Sequence, residues 1–241
     1  MNYQAVFRRY EMKYLLTNAQ LEAVLAAMAP YMAPDKYGLT TIRNIYFDTE
    51  NYRLIRHSIE KPLYKEKLRL RSYDTPTGSD PVFVELKKKF DGVVYKRRVS
   101  MPMDEALDWI CDRKPHPAPC QITREIDYFA DFYGSLRPTV FLSYNRIAYY
   151  AKDGSDFRVT FDRNILCRRE DLRLDSDATG TPILPPGKTM MEIKSMGGMP
   201  LWMTQVLTRE QVFKTSFSKY GTAYQTLIFP NQEVFANGRT V

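Results

Sequence analysis

Three short segments of the chain repeat one chemical pair: Glu11-Met12-Lys13, Glu85-Leu86-Lys87 and Glu192-Ile193-Lys194. On an extended chain alternate residues share a face, so each segment sets a carboxylate beside an ammonium. A surface ion pair of that kind is worth only ~0–1 kcal/mol and identifies nothing alone. Its neighbours give it meaning. Over residues 64–73, Lys65, Lys67, Arg69, Arg71 and Tyr73 point one way and Leu68 and Leu70 the other. Glu85, Lys87 and Lys89 lie opposite Val82, Val84 and Leu86, and Lys96, Arg98 and Ser100 lie opposite Val93, Tyr95 and Val99. Later, Tyr144 shares a face with Arg146, Arg158 with Thr160 and Asp162, and Glu192 with Lys194.

Period-two alternation is the signature of strands with one apolar and one polar face. An ordinary antiparallel sheet also alternates, with its polar face in water. Solvated faces, however, mix Thr, Ser, Gln and both charge signs, whereas here Arg and Lys repeat at i, i+2, where like charges repel. An anionic partner is therefore expected. If the strands close into a barrel, the charged faces line its lumen. Arg and Lys donors in such a lumen suit phosphate oxygens. Glutamates among those cations suit a divalent ion, because Mg²⁺ or Mn²⁺ takes one or two carboxylates and completes its shell with phosphate oxygens. Asp162 reads equally as a metal ligand or as the partner of a lumen arginine.

Helical spacing of apolar residues predicts three helices to cover the outside. One follows Thr17-Asn18 through Leu21, Val24, Leu25 and Met28; the others run from Asp104 to Cys111 and from Ile122 to Tyr133. Residues 113–120 form a proline-punctuated loop, and 171–188, rich in turn formers, read as a long surface loop. No linker divides the chain, so one domain over 1–241 is expected. Hydrophobic residues make up 44% of it, enough for a core. The net charge of +7 points to an anionic partner where the excess is clustered.

Cys111, Cys120 and Cys167 show no Cys-x-x-Cys spacing, which argues against a disulfide framework or a zinc site and for a reducing compartment. No apolar run approaches the ~18 residues of a membrane span, and a cytoplasmic protein is expected. A P-loop is absent from the sequence. His57 and His116 are the only histidines and are expected to have no catalytic role, while Phe7, Tyr14, Phe47, Tyr149 and Phe161 read as packing residues. Nucleic acid is not the expected partner, since the basic strands carry no interleaved aromatics on the same face.

The sequence resembles the triphosphate tunnel metalloenzymes (CYTH-like), and within them the vacuolar transporter chaperone (VTC) domain that polymerises polyphosphate. The resemblance runs through RYEMKYLL at the N-terminus, RNIYFDTENYRL at 43–54, KLRLRSY at 67–73, FVELKKK at 83–89, YKRR at 95–98, LSYNRIAY at 142–149, MEIK at 191–194 and SFSKY at 216–220. It implies an α+β fold, an eight-stranded antiparallel β-barrel tunnel with helices packed on its exterior. It further implies that Lys13, Arg69, Arg71, Lys87, Lys96 and Arg146 grip the phosphate chain, with Lys67, Arg98, Tyr144 and Lys194 beside them. Ser218 and Lys219 would stand on a C-terminal helix at one mouth. Glu192 is the best match to the metal ligand (Mn²⁺ or Mg²⁺), followed by Glu11 and Glu85.

The implied activity is transfer of the terminal phosphoryl of ATP to a polyphosphate chain. Triphosphatase members carry Glu-x-Glu-x-Lys at the N-terminus, whereas Arg9 stands here at the first glutamate position. That places hydrolysis of a triphosphate second, with a non-catalytic polyphosphate or inositol-phosphate binding module as the alternative of another class. Membrane-linked members of the family pass their product across a bilayer, which leaves room for a separate membrane partner.

Overall fold

The structure, a computed structural model, describes residues 10–230; Phe7 and Arg9 lie outside the described residues. Eight longer strands carry the fold: β1 (Tyr10–Leu16), β3 (Thr40–Asp48), β4 (Tyr64–Tyr73), β5 (Pro81–Phe90), β6 (Val93–Pro102), β7 (Arg137–Ala151), β8 (Arg158–Arg168) and β10 (Thr189–Ser195). Three strands of two or three residues join them: β2 (Met32–Pro34), β9 (Thr181–Pro182) and β11 (Lys214–Thr215). The order is β11-β1-β10-β8-β7-β3-β4-β5-β6, with β2 on β7 and β9 on β8.

The expected closed eight-stranded barrel is corrected here to an open eleven-stranded antiparallel sheet. Among the described residues β6 and β1 are not paired, and the outer edge of β1 is taken by β11 at Lys13 and Tyr14. Side chains span the seam instead. Lys87 on β5 reaches Glu11 on β1 at 2.8 Å, so the sheet curls until its two ends face each other.

The apolar faces pack outward against helices, as the alternation predicts. α3 (Met103–Ile110) and α4 (Gln121–Tyr133) cover Leu68, Leu70, Val82, Val84 and Leu86 through Trp109, Ile126 and Phe129. α1 (Asn18–Met28) and α5 (Leu201–Arg209) cover Val159, Phe161, Met191 and Ile193. Thr17 starts α1 with a capping box, its hydroxyl accepting from the Gln20 backbone at 3.2 Å while the Gln20 side chain accepts from the Thr17 backbone at 2.9 Å. Tyr14, Phe47 and Phe161 are buried packing residues, as read from the sequence.

A third cluster lies on the concave side. Val140, Leu142 and Tyr144 of β7 meet Tyr220 and Ala223 of α6 (Lys219–Ala223), which continues into a π-helical turn over Tyr224–Ile228. The C-terminal helix thus fills part of the concavity, and the charged residues occupy the rest. α2 (Arg53–Ile59) packs beside it. The Asp48 carboxylate at the end of β3 starts α2 by accepting from the Leu54 and Ile55 backbones at 2.9 Å each, and it also accepts from the Tyr220 hydroxyl at 2.9 Å.

Residues 171–188 are less of a surface loop than the sequence suggests. Leu174 and Ile183 are buried, β9 pairs with β8, and two arginines tie the backbone down. Arg43 donates to the Leu174 carbonyl at 3.1 Å, and Arg168 donates to those of Asp177 and Thr179 at 2.7 and 2.9 Å. Among the described residues no helix is long and apolar enough to cross a membrane.

Candidate functional site

Glu85 is the centre of one half of the concave face. It is wholly buried on β5. Arg69 sits opposite it on β4 and Arg98 opposite it on β6, so cross-strand register brings both guanidiniums to the carboxylate. Arg69 donates to Glu85 through Nε and Nη2 at 2.8 and 2.6 Å, Arg98 through Nε at 2.6 Å, and the Lys96 ammonium lies at 2.6 Å. Arg71 stands 3.9 Å away. Burial alone would raise the Glu85 pKa, but the fields of Arg69, Arg71, Lys96 and Arg98 hold it well below the usual carboxylate range. Lys96 pays the reciprocal cost: burial and the neighbouring arginines outweigh Glu85 and lower it to about 6.

The other half is built on Asp162 of β8 and Glu192 of β10. Arg146 grips Asp162 with two bonds, Nε at 2.6 Å and Nη2 at 2.7 Å, and its Nη2 lies 3.6 Å from Glu192. Lys219, the first residue of α6, reaches Asp162 at 2.6 Å and Glu192 at 3.2 Å. Lys194 and Lys13 approach Glu192 at 3.4 and 3.8 Å. Burial pushes the Glu192 pKa up, and these cations reverse that and hold it well below the usual range. Of the two readings left open for Asp162, the ion pair is the one observed.

Tyr144 joins the halves. Its hydroxyl accepts from Arg71 at 3.0 Å, and the cations of Arg146 and Lys219 lie 5.1 and 4.6 Å from its ring centre. Between the halves, Lys13 donates to the Phe217 carbonyl at 2.8 Å and Lys67 to the Ser218 hydroxyl at 3.1 Å. The lysines and arginines expected to grip phosphate, together with Tyr144, Ser218 and the three glutamates, therefore gather on one concave face.

Lys67 has no carboxylate partner among the described residues. Burial, then the repulsion of Lys13, Lys87, Lys65 and Arg69, lowers its pKa from 10.5 to about 7. A lysine pKa depressed by folding means that the charged form costs stability. The cost is fully present below pH ~7 and is relieved as pH rises from there towards 10.5. A polyanion in the lumen would reverse the shift and draw a proton onto the Lys67 amine.

Sequence reasoning gave no role to Asn44 and Tyr46 of β3. The Asn44 side-chain oxygen accepts from Arg71 at 2.9 Å, and the Tyr46 hydroxyl accepts from Arg69 at 3.1 Å while its ring stacks on Tyr220 with centroids 4.6 Å apart. Thr160 was likewise unassigned. Its buried hydroxyl has no hydrogen-bond partner among the described residues, and it lies directly opposite Glu192 in the β8–β10 register. No three acidic, histidine or cysteine side chains gather as a metal cluster among the described residues. The oxygen donors of Glu192 and Thr160 nevertheless lie directly opposite each other in the β8–β10 register, and they fit a hard divalent ion that takes one or two carboxylates and leaves its remaining positions to phosphate.

Over residues 8–228 the sequence matches the family model of the VTC domain. The chain belongs to the VTC-domain family. No curated protein matches it in sequence. Solved structures share the fold of this VTC domain at low identity. An adenylate-cyclase candidate from Bacillus halodurans superposes with a TM-score of 0.56 at 13% identity, covering 92% of this chain and 100% of its own. An adenylyl-cyclase candidate from Hippeastrum, described as having a dominant triphosphatase activity, gives 0.51 at 14% identity over 97% of both chains. The VTC domain thus shares the fold of these two proteins, with its sheet open along one seam.

Proposed function

We propose that the protein is a polyphosphate polymerase-type phosphotransferase, moving the terminal phosphoryl of ATP onto a phosphate or polyphosphate chain held in the basic lumen. The observation that carries this reading is the charge of the concave face. Glu11, Glu85, Asp162 and Glu192 are each held by at least one cation, and Lys67 still stands without an anion. Such a surplus fits a ligand carrying negative charge at short, regular intervals, because each phosphate meets several donors in a water-poor groove.

No histidine base is needed, since the attacking terminal phosphate is largely deprotonated near pH 7. His57 and His116 belong to the outer surface: His57 meets the Tyr64 carbonyl at 3.1 Å, and His116 packs edge-on against Trp109 with ring centres 4.6 Å apart. Catalysis is then positioning and charge neutralisation. Arg69, Arg71, Lys87 and Lys96 hold one run of phosphates, and Lys13, Arg146, Lys194 and Lys219 hold the other. Tyr144 keeps the arginines of the two runs in register. Glu192 would hold a divalent ion, which would supply further charge neutralisation.

Hydrolysis is the second reading, supported by the activity described for the Hippeastrum protein. Water would replace the chain end as nucleophile, with the same grip on the triphosphate. Incubating the protein with terminally labelled ATP and Mn²⁺ and separating the products by size distinguishes the readings. Label in a ladder of phosphate chains is expected. Label only in free phosphate identifies a hydrolase, and intact ATP under saturating metal identifies a binding module.

A further inference from the structure

A cavity of about 440 Å³ lies outside the lumen, between α2, the first residues of β4 and α4. Its walls combine two chemistries. Arg53, His57, Lys65 and Lys88 bring nitrogen donors, and Tyr128 and Phe132 bring ring faces. These two rings, one turn apart on α4, lie 25° from parallel with centroids 6.4 Å apart. They are 72% and 58% exposed, so packing does not account for them. The Arg53 guanidinium sits over Phe132 at 5.8 Å and Tyr133 at 5.4 Å, and its nitrogens have no hydrogen bond or carboxylate among the described residues. The one carboxylate lining the cavity, Glu66, is already satisfied. It accepts from the Tyr64 hydroxyl and from that of Tyr133 at 3.0 Å, with the Lys88 ammonium at 3.7 Å.

Lys65 joins this cavity to the lumen. It shares its strand face with Lys67 and Arg69, each step of two residues advancing ~7 Å along β4. Its ammonium donates to the Ser58 carbonyl of α2 at 3.2 Å. The next residue of α2, Ile59, packs against the cluster of Tyr220 and Ala223 in α6, and Ser218 at the head of α6 accepts from Lys67. Through Lys65 the cavity therefore adjoins the strand face that carries Lys67 and Arg69.

We propose that this cavity is the nucleoside subsite of the lumen. A nucleoside triphosphate lies with its base against Tyr128 and Phe132, its sugar and first phosphate beside Arg53, His57 and Lys65, and its outer phosphates past Lys67 in the lumen. The inference rests on the phosphate-chain reading of the lumen and adds the part of the substrate that lysines and arginines alone cannot distinguish. A flat base gains from stacking and from the guanidinium above the rings, and the Arg53 guanidinium, without a carboxylate among the described residues, suits an anion at the base's edge. A bare polyphosphate has nothing to place on the rings. The cavity thus separates the phosphoryl donor from the growing chain.

Calorimetric titration of the full chain with ATP and with tripolyphosphate tests this, using Phe132→Ala and Tyr128→Ala as variants of exposed side chains that the fold tolerates. Each variant should weaken ATP about 5- to 150-fold, the span of one lost base–ring stack, and leave tripolyphosphate within about twofold. Equal losses for both ligands, or none for ATP, overturn the inference while the lumen reading stands. Failure of tripolyphosphate to bind the unmodified protein overturns the lumen reading and the inference with it.

Discussion

Arg146→Ala is expected to lose ligand affinity and about 3–5 kcal/mol of unfolding free energy together. From the sequence the lumen arginines are expected to grip phosphate. The structure gives them a second duty. Asp162 is wholly buried, and Arg146 satisfies it with two short bonds, leaving only Lys219 if the guanidinium is removed. A buried carboxylate deprived of one partner costs more than the net worth of the pair, because its desolvation is no longer compensated. Arg146→Lys, which keeps the charge and loses the two-pronged geometry, should fall between the two. Urea unfolding of the three proteins measures this. An Arg146→Ala midpoint equal to that of the unmodified protein would show that Asp162 finds water instead. Arg69→Ala should cost less, because Glu85 keeps Arg98 and Lys96.

Glu192→Gln carries the largest expected effect on turnover, a fall of about 100-fold or more, corresponding to roughly 3 kcal/mol or more of transition-state stabilisation. The substitution keeps the shape and removes the charge that Lys13, Lys194, Lys219 and Arg146 surround. Triphosphate should still bind without metal, and more tightly, because one negative charge has left a lumen built for a polyanion. If Glu192 helps to hold a divalent ion, the Mn²⁺ concentration for half-maximal rate rises in the mutant. If Glu192 only positions the four cations, turnover falls with that concentration unchanged. Near-normal single-turnover transfer with an unchanged Mn²⁺ requirement rules out both roles.

The strand faces were legible in the sequence because a sheet with an apolar outside and a charged inside has a period of two that nothing local disguises. Leu68 against Arg69 and Leu86 against Glu85 state it outright, and the structure buries the leucines beneath helices. Helices α1, α3 and α4 were legible for the same reason at helical spacing. α2 was not. It is seven residues long, its N-cap Tyr52 is left-handed at φ 58°, and its capping comes from Asp48 on the preceding strand. α5 hid behind Pro200 and the mixed run that follows.

The open seam could not be read, because closure depends on whether two distant edges meet, and strand alternation is blind to that. Register is invisible for the same reason. The sequence pairs Glu85 with Lys87 by proximity, whereas the structure hands Glu85 to Arg69 and Arg98 across two strand boundaries. Asn44 and Tyr46 had a signal that went unused: with Asp48 they form a polar row on β3 opposite Ile45 and Phe47.

The most direct test of the lumen is calorimetric titration with tripolyphosphate at pH 8, in two buffers of different ionisation heat. Lys67 is the natural reporter, since it has no carboxylate partner among the described residues and its pKa of about 7 leaves it mostly neutral at that pH. The account predicts saturable one-to-one binding with net proton uptake, affinity falling as pH rises from about 7 towards 10.5, and both uptake and affinity reduced in Lys67→Ala, the latter by roughly tenfold or more. Absence of saturable binding, or binding with neither proton uptake nor any response to Lys67→Ala, would contradict it.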